Sequence, residues 1–235
     1  LHCSGSTMGN LVKNSSSNIR MLQFTGSSGV AEQLAQDMNG RIRVEDAGFD
    51  WKVIGPDYSS EWDDYVAWQC DEDAYNASGQ KCSAQSILFV HENWTNHLMP
   101  KFKALAERRQ LDNLSIGPVL TWNNKEMRNH INGLLEIPGA KLLFGNEELE
   151  SHNIPSVYGS LKPTAIEVPV EQLMTEHFDL ITTEVFGPVQ VIVNYKHDQL
   201  PIILETLEKI PLHLTAAVVS NDPLFLQQVL GLTVN

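Results

Sequence analysis

The stretch YNASGQKCSAQSILFVH, residues 75–91, carries the most information about this chain. Its second half contains Ile87–Val90, a continuous apolar run typical of a buried strand. Its first half contains Ser78–Lys81, which is polar and flexible and therefore a poor environment for a structural thiol. Cys82 thus lies in a loop just before a predicted buried strand, where the lysine and backbone amides beside it favour a reactive thiolate.

A second motif, EVFGP at residues 184–188, leads into another strand-like run, Val189–Val193. The Gly-Pro pair forces a turn and places Glu184 and Phe186 at the mouth of the predicted sheet. A carboxylate there can accept hydrogen bonds from sugar hydroxyls, and an aromatic ring can pack on another planar ring. The alternative is a carboxylate that merely caps the turn.

A third motif, FTGSSG at residues 24–29, follows the apolar run Met21–Phe24 and precedes apolar positions spaced by three and four. This pattern predicts a strand, a Gly/Ser turn and a helix, followed by a strand over Arg41–Val44. At such a turn the backbone amides of Gly26 and Ser27 can face an anion such as a dinucleotide pyrophosphate. A plain strand–helix turn is the alternative, because neither a G-x-G-x-x-G pattern nor a P-loop lysine occurs there.

Glu45 follows this predicted strand and precedes Asp46-Ala47-Gly48. A carboxylate held at a strand end beside a small-residue turn is suited to activating water. A surface glutamate in a charged loop is the alternative.

The rest of the chain alternates between strands and helices, which predicts an α/β fold with an open, largely parallel sheet. Residues 1–20 are polar, and Asn14–Asn18 indicate a loop. Further strands are predicted at 53–54, 87–91, 141–144, 165–168, 189–193 and 216–219, and helices within 61–78 and at 94–109, 125–135, 199–209 and 223–230.

Composition narrows the possible functions. The 235 residues are 42% hydrophobic and 19% charged, with a net charge of −13, as expected for an ordinary globular protein. The acidic balance, with no basic cluster, disfavours nucleic-acid partners, and no apolar run approaches a membrane span. Three scattered cysteines favour a reducing compartment over a disulfide framework and form no metal-site pattern. The first residue is Leu1, so we expect an internal start with any targeting segment outside this chain.

In this order and spacing, the motifs resemble those of the aldehyde dehydrogenase family. Gly79–Ala84 is similar to the 1-pyrroline-5-carboxylate dehydrogenase branch, and Phe24–Gly29 with Val44–Lys52 to its plant mitochondrial members. The family's catalytic glutamate usually precedes a small residue, two glycines and a lysine. Here Gly48 is kept, but Ala47 and Phe49 replace the first glycine and the lysine.

The resemblance implies a role for each candidate residue. It implies Cys82 as nucleophile and Glu45 as the base that activates water, with Ser83 contacting the polar end of the substrate. It implies NAD as cofactor and no metal. Gly26 and Ser27 would hold the pyrophosphate of the cofactor. Glu184 would hold its ribose, and Phe186 its nicotinamide.

The resemblance also implies how the chain is organised. Residues 1–47 would be the last part of a Rossmann-like NAD-binding domain, and residues 48–235 most of the catalytic domain. The oxyanion-hole asparagine and the substrate-anchoring loop would lie outside this chain. The implied reaction oxidises glutamate-γ-semialdehyde to glutamate in proline catabolism, in the mitochondrial matrix, with the complete protein a homo-oligomer. Alternatives are a different aldehyde, or a truncated, silent form that associates with full-length subunits; a thiol hydrolase is disfavoured, since no histidine lies near Cys82 in sequence.

Overall fold

A computed structural model of the chain describes residues 2–45 and 48–233. Contacts between Cα atoms divide the chain into two compact units, Leu1–Gly48 and Phe49–Asn235. The boundary that we predicted at residue 47 lies outside the described residues. The assignment of the two parts to a cofactor domain and a catalytic domain stays a prediction.

The first unit is a small strand–helix–strand unit with a preceding helix. Its elements are α1 (Gly5–Ser15), β1 (Leu22–Thr25), α2 (Ser28–Asp37) and β2 (Ile42–Glu45). The two strands are parallel, and the core joins Val12 of α1 to Leu34 and Met38. The prediction for residues 1–20 missed α1. A capping hydrogen bond from the Thr7 amide to Ser4 starts this helix, whose side chains are mostly polar and exposed, with only Val12 buried.

The second unit contains a six-stranded sheet with helices on both faces. Its elements are β3 (Asp50–Ile54), α3 (Asp63–Tyr75), β4 (Gln85–His91), α4 (Glu92–Glu107), α5 (Asn124–Leu135), β5 (Lys141–Phe144), β6 (Thr164–Glu167), α6 (Phe178–Ile181), β7 (Val189–Tyr195), α7 (Leu200–Lys209), β8 (Ala216–Val219) and α8 (Pro223–Thr233). The strand order is β5-β6-β7-β4-β3-β8. Among the described strands, β5 and β6 pair antiparallel and the other neighbours pair parallel. The predicted α/β class with a largely parallel sheet is confirmed.

The central strand β4 is buried on both faces, as a parallel strand between two helical layers must be. Its alternate residues Ile87 and Phe89 belong to one apolar core, which includes side chains of α5, α7 and α8. Leu88 and Val90 belong to the other core, which includes side chains of α3 and α4. The apolar run in the sequence therefore reflects two cores separated by one strand.

No helix within the described ranges is long and apolar enough to cross a membrane.

Two histidines of the second unit have pKa values below the usual 6.5 because burial disfavours their charged form. His91 ends β4, is 3% exposed, and accepts a hydrogen bond from the Asn93 amide through Nδ1 at 3.3 Å. His130 lies on α5, within 6.2 Å of the Trp122 ring centroid. The unfolded chain therefore binds protons at these positions more readily than the folded chain does.

We expect the free energy of unfolding to decrease as the pH falls below about 6.5, since protons are then taken up on unfolding. The double variant His91→Asn/His130→Asn keeps an oxygen that can cap α4 and removes both titrations, so its stability should depend less steeply on pH between about 7 and 5. Urea titrations at several pH values measure this, with exposed His2→Asn as control. An unchanged slope in the double variant would contradict the assignment.

Candidate active site

Two predicted motifs lie side by side in the second unit, although they are far apart in sequence. We define the Cys82 loop as residues 76–84, which precede β4, and the Glu184 loop as residues 182–188, which precede β7. These strands are adjacent and parallel, with Ile87 opposite Val191. Both loops therefore lie at the same end of the sheet, where β4 and β7 begin.

The two loops touch through their glycines. Gly79 has φ +69°, and a Cβ atom placed on it would come within 2.7 Å of the Gly187 carbonyl carbon and closer still to its oxygen. Any side chain at this position would therefore collide with the backbone of the Glu184 loop. The two preceding residues, Ala77 and Ser78, also have positive φ values of 55° and 59°. Such strained conformations persist only where the surroundings hold them, and they are common at functional sites.

Polar side chains fix the Cys82 loop to the segment 117–120. The Ser78 hydroxyl donates to the Gly117 carbonyl at 3.0 Å and accepts from the Gly117 amide at 2.8 Å. The Gln80 side chain donates to the Pro118 carbonyl at 2.9 Å and accepts from the Leu120 amide at 2.8 Å. These anchors were not identified from the sequence, because nothing in the motif shows which distant backbone it meets.

Cys82 and Ser83 are the two central residues of a tight turn. The Ala84 amide donates to the Lys81 carbonyl at 3.0 Å and closes this turn, and both central residues are exposed. The Lys81 ammonium donates to the Glu72 carbonyl at 3.4 Å, so its charge is held at the end of α3. Cys82 is therefore exposed in a turn that begins at an anchored residue.

A buried carboxylate supports the far side of this turn. Asp50, which is 1% exposed, accepts hydrogen bonds from the amides of Leu214 and Thr215 at 2.7 and 2.9 Å. It also accepts one from the Thr215 hydroxyl at 2.8 Å, and that hydroxyl lies 3.4 Å from the Ser83 carbonyl oxygen. Sequence reasoning missed Asp50, since an aspartate at the start of a strand carries no signal for a partner so far away.

The Glu184 loop alternates between anchoring and accessible residues. Val185 is buried in the core, while Glu184 and Phe186 are half-buried on either side of it. The Gly187 amide donates to the Val185 carbonyl at 2.7 Å, and the Thr164 amide donates to the Pro188 carbonyl at 2.8 Å. A fixed turn with partly accessible acidic and aromatic side chains is the arrangement that the motif predicted.

The first unit gathers the remaining candidates at the carboxyl edge of its own sheet. Thr25 and Glu45 are opposite each other, and the Gly26 amide donates to the Glu45 carbonyl at 3.2 Å. Glu45 is exposed. We predicted it as the residue after the strand, but it is the last residue of β2. Its following residues Asp46 and Ala47 lie outside the described residues.

The turn between β1 and α2 leaves the start of the helix open. Ser27 has extended backbone angles before α2, and its side chain makes no capping hydrogen bond. The first turn of α2 carries no acidic residue, and a Cβ atom on Gly29 would meet nothing within 4 Å. A helix terminus without an acidic residue in its first turn is electrostatically favourable to an anion. Packing also favours a glycine at position 26, since a Cβ atom there would lie 2.6 Å from the Phe24 ring.

The second unit thus combines an α/β fold with an exposed cysteine beside the amino-terminal ends of its central strands. The model of the aldehyde dehydrogenase family matches residues 1–230. The chain belongs to the aldehyde dehydrogenase family.

Several relatives are similar over most of this chain. It is 58% identical, over its whole length, to delta-1-pyrroline-5-carboxylate dehydrogenase 12A1, mitochondrial, of Arabidopsis thaliana. It is 60% identical over 93% of its length to a probable aldehyde dehydrogenase of Linum usitatissimum. The chain spans 42% and 40% of these two proteins.

Solved structures share the fold at lower identity. A proline utilization A (PutA) structure with proline bound in remote sites matches 97% of this chain and 23% of its own, with a TM-score of 0.78 and 21% identity. A putative methylmalonate-semialdehyde dehydrogenase from Sinorhizobium meliloti 1021, complexed with NAD, matches 97% of this chain and 46% of its own, with a TM-score of 0.78 and 20% identity. These likenesses confirm the aldehyde dehydrogenase-like fold.

We expect Gly79→Ala to destabilise the second unit by about 3 kcal/mol, because the methyl group collides with the Gly187 backbone and the positive φ is strained. Gly231→Ala is the matched control, since a Cβ atom there meets nothing within 4 Å and the residue lies in α8. Urea denaturation of both variants measures the difference. Equal stability of the two variants would contradict the contact between the loops.

Proposed function

We propose that this chain carries the nucleophile region of an NAD-dependent aldehyde dehydrogenase. The proposed reaction oxidises glutamate-γ-semialdehyde, the open form of 1-pyrroline-5-carboxylate, to glutamate. The observation that carries the proposal is the exposed Cys82 at the tip of an anchored turn, packed beside the Glu184 loop. The substrate is supported by the name of the Arabidopsis relative, of which the chain spans 42%.

The Cys82 thiolate is the proposed nucleophile. Its sulfur attacks the aldehyde carbon, a C–S bond forms, and the carbonyl oxygen becomes an oxyanion. The backbone amide of Cys82 is placed by the turn and is the proposed donor to this oxyanion. Ser83, the other central residue of the turn, is the proposed contact to the polar end of the substrate.

A nicotinamide dinucleotide, when bound, would accept a hydride from the carbon bonded to Cys82. The thiohemiacetal would thereby become a thioester on Cys82. Glu45 is the proposed base that takes a proton from water. The water oxygen then attacks the thioester carbon, the C–S bond breaks, and the carboxylate and the thiol are released. Oxidation of the aldehyde thus balances reduction of the dinucleotide.

Two groups of residues are proposed to hold the cofactor. Gly26 and Ser27 open the α2 terminus, where the uncapped amides suit a pyrophosphate. Glu184 is proposed to accept hydrogen bonds from ribose hydroxyls, and Phe186 to pack on the nicotinamide ring. NAD rather than NADP, a mitochondrial matrix location and a homo-oligomeric complete protein are part of the same proposal. The mitochondrial location is supported by the name of the Arabidopsis relative.

We expect Cys82→Ala to abolish NADH formation from 1-pyrroline-5-carboxylate, since removing the nucleophile removes the covalent route. Cys3→Ala is the control, because Cys3 is also exposed but lies outside the proposed site. The absorbance of the reduced cofactor measures turnover. Equal turnover by Cys82→Ala and Cys3→Ala would refute the role of Cys82, and faster turnover of a simple aliphatic aldehyde would refute the substrate. No turnover by the unaltered chain would favour the silent, truncated form.

We expect Glu184→Gln to weaken NAD binding roughly tenfold, because hydrogen bonds to a charged acceptor are worth about 1.5–3 kcal/mol. Titration calorimetry with the 235-residue chain measures this. Glu208→Gln on the exposed face of α7 changes the net charge equally and is the control. The same loss of affinity in both variants would show a general charge effect and contradict the role of Glu184.

A further inference from the structure

A chain of hydrogen bonds runs through the buried interior of the second unit. The Gln85 side-chain amide donates to Gln190 Oε1 at 2.7 Å, and the Gln190 amide donates to the Tyr75 hydroxyl at 2.8 Å. The Tyr75 hydroxyl donates in turn to the Thr164 carbonyl at 3.1 Å. The three side-chain residues are 5%, 2% and 1% exposed. Burial raises the pKa of Tyr75, so its hydroxyl keeps its proton as a donor.

The three residues flank the two loops of the candidate site. Tyr75 ends α3 immediately before the Cys82 loop, and Gln85 begins β4 immediately after it. Gln190 lies in β7, two residues beyond Pro188 of the Glu184 loop. These hydrogen bonds therefore connect both ends of the Cys82 loop to the strand that follows the Glu184 loop.

The backbone alone does not make this connection. The ladder between β4 and β7 begins at Ile87 opposite Val191, so the Gln85–Gln190 hydrogen bond links the strands closer to Cys82. At its other end, the chain reaches Thr164, whose amide donates to the Pro188 carbonyl at 2.8 Å. Two contacts thus hold the end of the Glu184 loop: the Gln85–Gln190 hydrogen bond and the hydrogen bond from the Thr164 amide to Pro188.

This arrangement leaves one buried polar atom unsatisfied among the described residues. Gln85 Oε1 is buried and has no hydrogen-bond partner among the described residues. A buried polar atom without a partner lowers the stability of the folded state, whereas a pair of leucines of similar volume would avoid that cost. A polar chain kept at such a cost points to a role other than packing.

We propose that Gln85, Gln190 and Tyr75 are positioning residues that set the Cys82 turn against the Glu184 loop. They touch neither reacting atom. They act by holding the Cys82 sulfur and the neighbouring backbone amides in the arrangement that favours the thiolate. This inference rests on the proposed role of Cys82 as nucleophile.

The test is the rate at which iodoacetamide alkylates Cys82 across a pH series, measured residue by residue by mass spectrometry. We expect Gln85→Leu, Gln190→Leu and Tyr75→Phe each to slow alkylation at neutral pH on the order of tenfold, because a small misplacement weakens thiolate stabilisation. The pH at which alkylation reaches half its maximum should rise in the same variants. Exposed Cys3 is the internal reference for reagent and pH.

The double variant Gln85→Leu/Gln190→Leu separates positioning from stability. It removes both partners and the unpaired oxygen together, so its thermal stability should return toward that of the unaltered chain. We expect Cys82 alkylation to stay slow in this variant. Recovery of fast alkylation together with stability would overturn the proposal.

Tyr195→Phe is the matched control for Tyr75→Phe. Tyr195 is also 1% exposed, and its hydroxyl donates to the Ile54 carbonyl at 2.8 Å, at the other end of the sheet. If Tyr75→Phe and Tyr195→Phe slowed the alkylation of Cys82 equally, the positioning role would be overturned and the proposed function would stand. In the unaltered chain, a Cys82 that reacts no faster than Cys3 would overturn the proposed function, and the positioning role with it.

Discussion

The close approach of two backbones at Gly79 and Gly187 is the constraint on which the candidate site depends. No Cβ atom fits between them, and Gly79 adopts a positive φ that other residues avoid. The contact sets where the Cys82 loop can lie, since Ser78 and Gln80 fasten the same loop to residues 117–120. The turn at Cys82 is therefore exposed without being loose.

This contact exists because of the sheet beneath it. The strands β4 and β7 are central, parallel and buried on both faces, so their amino-terminal ends are fixed relative to each other by the two apolar cores. A loop that enters each strand therefore starts from a rigid point. The buried polar groups Asp50 and Gln190 add hydrogen bonds at the level where the apolar core ends.

Much of this architecture was predictable from local signals. The bounds of β5 and β8 were predicted to the residue, since both are short apolar runs between turn signals. The prediction for β3 began three residues late, because Asp50 and Lys52 are polar yet buried. Hydropathy cannot anticipate a buried aspartate whose partners are the amides of residues 214 and 215, or a buried lysine paired with Asp73. The helix α1 was missed for the opposite reason, since it is mostly polar and exposed, and only Val12 of its apolar residues is buried.

The sequence by itself determined the α/β class, the family and the residues proposed to do the chemistry, because residue types at fixed spacings carry those signals. Only the tertiary structure decided that the Cys82 and Glu184 loops touch and that Gly79 must lack a side chain. It also decided that Gln85, Gln190 and Tyr75 form one hydrogen-bonded chain. The physical reason is that these contacts join residues about a hundred positions apart, and the sheet register that brings them together depends on packing of the whole unit.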